Sequence, residues 1–204
     1  MGDSKYTIRS NERRFLGKSS RRELVLEAGE EIRKGKNELI IELLNERTKL
    51  VIVGTLIPAK LPFFYAGKSN YIYSWIDQAT GNTHLNDFKK ELANNPADKK
   101  RIIKLIKDEL KKIGVVFIDV IDEARIKEGS RRDEDISEYH LDINVLNRLK
   151  ELSKTNTNMK IIAASRNAEA VLHSFNIEKV EYSTLMWNPR RDSWINIIKE
   201  SQSK

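Results

Sequence analysis

Asp119 directly follows the apolar run Val115 to Ile118, and Gly54 closes a second such run, Leu50 to Val53. A carboxylate just past a strand end is placed for proton transfer; it also commonly caps a turn or pairs with an arginine such as Arg125. Glycine at the other strand end lets the backbone turn sharply or approach a ligand closely. Beyond it, Pro58, Pro62 and Gly67 leave no room for a regular element, yet the same loop holds Phe63, Phe64 and Tyr65. Three consecutive aromatics there either stack on a flat ligand or pack the loop onto the sheet. Asn70 stands where this loop becomes a helix, with Ser69 as the expected cap and Tyr71, Ile72 and Trp75 in the helix beyond.

The elements that must position these groups follow from periodicity. Short apolar runs predict strands near 50–54, 115–119, 160–164 and 179–183. From Ser20, the spacing of Leu24, Val25 and Ile32 and then Leu39, Ile40, Leu43 and Leu44 predicts helices broken near Gly35. Further helices are expected at 85–92, from Asn95 and Pro96 to Ile113, at 142–152, at 167–175 and around Trp194, Ile195 and Ile198. The charged stretch 122–135 reads as a connection. Strands alternating with helices make a three-layer α/β/α domain with a four-stranded, mainly parallel sheet, whose ligand crevice lies beyond the carboxyl ends of the strands.

Length and composition bound the partners. The 204 residues suit one domain, with residues 1–19 expected to be a loosely ordered basic terminus. Thirty-seven basic against 30 acidic side chains give a net charge of +7, which favours a polyanionic partner. The absence of cysteine removes disulfides, thiol nucleophiles and thiolate metal sites, and the scattered His84, His140 and His173 offer no metal-ligand spacing. Neither a metal nor a cofactor is expected. No G-x-G-x-x-G, P-loop or G-x-S-x-G follows a strand, which disfavours dinucleotide, nucleotide-triphosphate and serine-hydrolase chemistry. The apolar stretches are too short to span a membrane, so a cytoplasmic protein is expected.

Read in order, VIVGTLIP, FFYAGKSNYIYSWI, GVVFIDVIDEARIKEGSRRDEDI and IIAASRNAEAVL resemble the uracil-DNA glycosylase superfamily, closest to its mismatch-specific and hypoxanthine-type branches. Gly54, Thr55 and Pro58 stand for the first motif, Phe64, Tyr65 and Gly67 for the aromatic cluster, and Asn70 for the amide that opens the aromatic helix. Asp119, Arg125, Gly129, Ser130 and Asp133 fill the second block, while Ser165, Arg166 and Asn167 stand where relatives read the base. The first motif carries one residue too many, and of the usual wedge loop near the fourth strand only Pro189 fits.

The resemblance implies a DNA partner and a monofunctional glycosylase that flips a deaminated base, uracil or hypoxanthine, and hydrolyses its N-glycosidic bond. In that reading Asn70 holds the attacking water, with Asp119 as the other catalytic candidate. Gly54, Thr55, Pro58, Phe64, Tyr65, Ser165 and Asn167 contact the base. Arg125, Ser130, Pro189, Arg190 and Arg191 meet the nucleic acid. The alternative is a non-catalytic member of the same fold that binds nucleic acid or a nucleotide in that crevice.

Overall fold

The computed structural model describes residues 18–19, 23–56, 61–67, 69–81, 83–130, 132–178, 180–182 and 191–203. Within them the chain forms strands β1 (Lys18–Ser19), β2 (Glu30–Lys34) and β3 (Leu50–Gly54), then helices α1 (Ile72–Thr80), α2 (Leu85–Asn94) and α3 (Lys99–Ile113). Strands β4 (Val115–Asp119), β5 (Ile121–Lys127) and β6 (Ile136–Leu141) follow, then α4 (Ile143–Thr155), β7 (Lys160–Ala163), α5 (Arg166–Ser174), β8 (Val180–Tyr182) and α6 (Arg191–Gln202). The predicted Pro189, Arg190 and Pro58 lie outside the described residues.

The expected four-stranded sheet is present and wholly parallel, in the order β4-β3-β7-β8. Every residue of β3 and β4 is buried, so helices and loops cover both faces, as their apolar runs Leu50 to Val53 and Val115 to Ile118 require. α3 buries Ile102, Ile106, Leu110 and Ile113 as one stripe and ends at Gly114. Its lysine-rich outer face is laced with acids: Lys104 pairs with Asp108 and Lys107 with Glu42. α1 packs against α6, and Trp75 stacks on Trp194 with ring centres 6.4 Å apart. Register decides what the strand ends can do. Gly54 lies opposite Asp119 and Val53 opposite Ala163, so β3, β4 and β7 finish level and their next residues share one crevice.

Three local expectations are corrected. The helices expected over 20–44 are replaced by β2 and two single turns of 3-10 helix at Asn37–Leu39 and Ile41–Leu43. Pairing overrides the apolar spacing, because β2 runs antiparallel to β5 from Glu30↔Lys127 to Lys34↔Glu123. The charged stretch 122–135 is strand as far as Lys127: β5 pairs antiparallel with β6, which follows the stretch, within a second sheet ordered β1-β6-β5-β2. This sheet adds to the parallel one, and the chain steps from β4 into it through Val120, whose carbonyl accepts from Asp142 N at 3.0 Å. Finally, Ser69 is not the cap of the aromatic helix. α1 starts at Ile72, and the Asn70 side chain accepts its amide proton at 3.0 Å.

Candidate functional site

The level ends of β3, β4 and β7 bring Gly54, Thr55, Tyr65, Asp119, Ser165 and Asn167, all singled out in the sequence, together at one end of the parallel sheet. Ser165 follows β7 and caps α5, its hydroxyl accepting from Ala168 N at 3.0 Å. The same Oγ lies 2.6 Å from Thr55 Oγ1, which lies 2.5 Å from Asp133 Oδ2. Asn167 Nδ2 donates to that carboxylate oxygen at 3.0 Å. An ionised Asp133 only accepts, so the single Thr55 proton goes to it, and Ser165 therefore donates to Thr55. The result is a directed relay from the Ala168 amide through Ser165 and Thr55 to Asp133, each bond polarising the next.

Asp133 arrives from far along the chain by local means. Gly129 adopts φ 71°, turning the chain out of β5. Ser130 Oγ donates to Asp135 at 2.6 Å, a bond that holds the Asp135 carboxyl below its ordinary value, and Arg33 Nη2 grips Ser130 O at 2.8 Å. Ser130 thus shapes the loop that delivers Asp133.

Across Gly54 stands a second pair of groups. A Cβ at Gly54 would come within 2.5 Å of Asp119 Oδ1 and 2.7 Å of the Tyr65 hydroxyl, so only glycine admits both. Asp119 is 3% exposed, and its backbone is held by Asn37: Nδ2 donates to Asp119 O at 2.8 Å while Oδ1 accepts from Asp119 N at 2.9 Å. Asn37 also donates to Asp142 Oδ2 at 2.8 Å, tying β4 to the cap of α4. Tyr65 as a residue is partly exposed, but its hydroxyl is buried without a hydrogen-bond partner among the described residues. Burial above all, then Asp119 and Asp133, push its pKa well above the ordinary phenol value. Tyr65 also holds φ at 51°, a conformation that costs a non-glycine residue about 1 kcal/mol or more. An orphaned hydroxyl on a strained backbone, beside a buried carboxylate, is the arrangement expected where a water or ligand atom is to be seated. Lys36, the residue before Asn37, donates to Leu61 O; burial and Lys99 lower its pKa, against the opposing pull of Glu38 and Asp119.

The remaining candidates are placed elsewhere. Phe64 is 1% exposed, edge-on to Phe63, and its carbonyl accepts from Tyr73 Oη at 2.5 Å, so its ring belongs to the core. Asn70 spends its side-chain oxygen on Ile72 N, while its carbonyl accepts from Lys89 Nζ at 2.6 Å. Arg125 lies in the second sheet among Glu27, Glu30 and Glu138 and donates to Val25 O at 3.0 Å. Arg191 is exposed and reaches Gln78 Oε1 at 2.9 Å. Among the described residues no three or more histidine and carboxylate side chains gather to hold a metal ion, and no helix is long and apolar enough to cross a membrane. Asn37 and Lys36 are not legible as site residues from sequence. The residue pair after β2 carries no motif, and only the packing of the second sheet brings it to Asp119.

No protein-family profile matches the chain, and no curated protein matches it. Among solved structures it is similar to the solution NMR structure of a candidate uracil DNA glycosylase from Methanosarcina acetivorans. The TM-score is 0.52, with 84% of this chain and 99% of that one covered, at 17% identity. At that identity the likeness is one of fold, and the fold is the one that the motifs resemble.

Proposed function

We propose that this chain is a DNA glycosylase that receives an extruded deaminated base, uracil or hypoxanthine, at the ends of β3, β4 and β7 and hydrolyses its N-glycosidic bond. The observation that carries the reading is the convergence of Asp119 and the Tyr65 hydroxyl over Gly54, flanked by the relay that ends on Asp133. A water seated between Asp119 and Tyr65 attacks C1′ of the sugar. Its proton passes to the Asp119 carboxylate, and the electron pair of the C1′–N bond leaves with the base. The sugar is oxocarbenium-like at the transition state, so two carboxylates beside it stabilise the developing positive charge. Asn167, its amide fixed by Asp133, presents its carbonyl oxygen to the base edge. Asp119 takes the water-activating role in preference to Asn70, because the Asn70 oxygen is committed to the start of α1.

Excision from oligonucleotides carrying uracil, hypoxanthine or xanthine, single- and double-stranded, tests the reading, with Asp119→Asn alongside. The expected result is base release by the natural chain and a loss of about 10²–10⁴ in rate for the variant. A second reading has its own support: Thr55, Ser165, Asn167 and Asp133 satisfy one another, and Tyr65 covers Gly54, as in a site that binds without turnover. DNA retained with a steep salt dependence, and no base released, would favour that binding role.

A further inference from the structure

The cleft between α1 and α2 has a chemistry of its own. It measures about 430 Å³ and is lined by Tyr71, Ser74, Asn86, Lys89, Lys90 and Asn94 among others, none of which belongs to the crevice at the strand ends. Tyr71 is 51% exposed. Its ring lies nearly parallel to Trp75, at 23° and 6.3 Å, and Trp75 lies on Trp194 at 22° and 6.4 Å. The outermost ring of a three-ring stack is thus open to solvent and held in place by two buried indoles, which removes most of the entropic cost of adding a fourth flat ring.

The polar lining is of one kind. Lys89 is 7% exposed and donates to Asn70 O, and burial together with the neighbouring Lys90 lowers its pKa below the ordinary lysine value. The Lys90 ammonium is the exposed one, while that of Lys89 is held on Asn70 O, and the positive charge of the two favours an anion at Lys90. The one carboxylate on Lys90, Asp87 at 3.1 Å, forms a pair in which both side chains are exposed, so a competing phosphate displaces it at little cost. The Ser74 hydroxyl and the Asn86 and Asn94 amides supply both donors and acceptors for a base edge.

We propose that this cleft is a nucleotide-binding site, taking an unpaired base against Tyr71 and its phosphate at Lys90. The site is separate from the proposed reaction centre and does not depend on turnover there. The ligand is either a nucleotide within a single strand or a free mononucleotide.

Fluorescence anisotropy of a labelled single-stranded oligothymidylate, with dTMP and a duplex of equal length as competitors, decides the matter. Tyr71→Ala should weaken oligonucleotide binding at least about five-fold, since it removes a stacking face, whereas Tyr71→Phe keeps the ring and should bind as the natural chain does. Lys90→Gln should lower the slope of log affinity against log salt by about 1. Competition by dTMP that is lost in Tyr71→Ala identifies the free nucleotide as the ligand; competition by strands alone identifies single-stranded DNA. Tyr71-dependent binding in a chain that releases no base leaves this site standing whatever becomes of the glycosylase reading. The proposal is overturned if the natural chain binds no oligonucleotide, if Tyr71→Ala binds as tightly as it does, or if Tyr71→Phe is weakened as much as Tyr71→Ala while both melt like the natural chain.

Discussion

Thr55 and Asp133, 78 positions apart in the chain, share a hydrogen bond of 2.5 Å at the ends of the parallel strands. Asp133 also accepts from Asn167, so it is the one acceptor for two side chains of the crevice. Asp133→Ala should therefore leave two donors without their partner and cost about 2 kcal/mol in urea denaturation. Excision by Asp133→Ala should fall as well, because the Asn167 amide loses its fixed orientation.

Tyr65→Phe should separate stability from function. The hydroxyl is buried without a partner among the described residues, so removing it should stabilise the fold by about 1 kcal/mol, read as a raised urea midpoint with unchanged slope. If the hydroxyl helps to seat the attacking water, the same variant should excise more slowly. A more stable and equally active variant would remove Tyr65 from the chemistry.

Alkaline pH should unfold the protein by way of its tyrosines. Burial raises the pKa of Tyr65, Tyr73 and Tyr139 above the ordinary value of 10.0. Their folded values exceed the unfolded one, so the stability that they contribute is complete below about pH 10 and is lost as pH climbs from there towards the folded values. Urea midpoints measured across this range should fall, and the fall should be shallower in Tyr65→Phe.

Asn70→Ala discriminates between the two water-activating candidates. Loss of the bond from the first amide of α1 should cost about 1 kcal/mol of stability, and excision should stay within about ten-fold of the natural rate if Asp119 carries the reaction. Abolished excision in a folded Asn70→Ala protein would return the role to Asn70 and count against Asp119.

Arg125 and Arg191 should behave in opposite ways. Arg125→Ala removes the partner of Glu27, Glu30 and Glu138 and should lower the melting temperature without altering the salt dependence of DNA binding. Among the described residues Arg191 bonds only Gln78, so Arg191→Ala should leave melting unchanged; a salt slope lowered by about 1 would place a phosphate at Arg191.

What the sequence determined by itself is the parallel sheet and the crevice at its ends. Unbroken apolar runs at 50–53 and 115–118 have few alternatives to a doubly covered strand, and the residue after each run, Gly54 or Asp119, is then carried to the strand ends by connectivity alone. Ser165 and Asn167 follow for the same reason at the end of β7. The second sheet was not legible. Ala124 and Ile126 do alternate with charged residues in β5, but the charges look like a loop until Arg125 is seen among its three glutamates and β2 is seen alongside. That pairing is non-local, and it alone decides that Asn37 clamps Asp119 and that Asp133 reaches Thr55. The aromatic run divides along the same line. Phe63, Phe64 and Tyr65 are equivalent as a string of residues, and only the positive φ at Tyr65 turns its hydroxyl towards Gly54 while the two phenylalanines are buried in the core. Local pattern fixes which face of an element is buried, whereas the meeting of polar atoms from distant segments depends on how the two sheets join, which no single window of sequence contains.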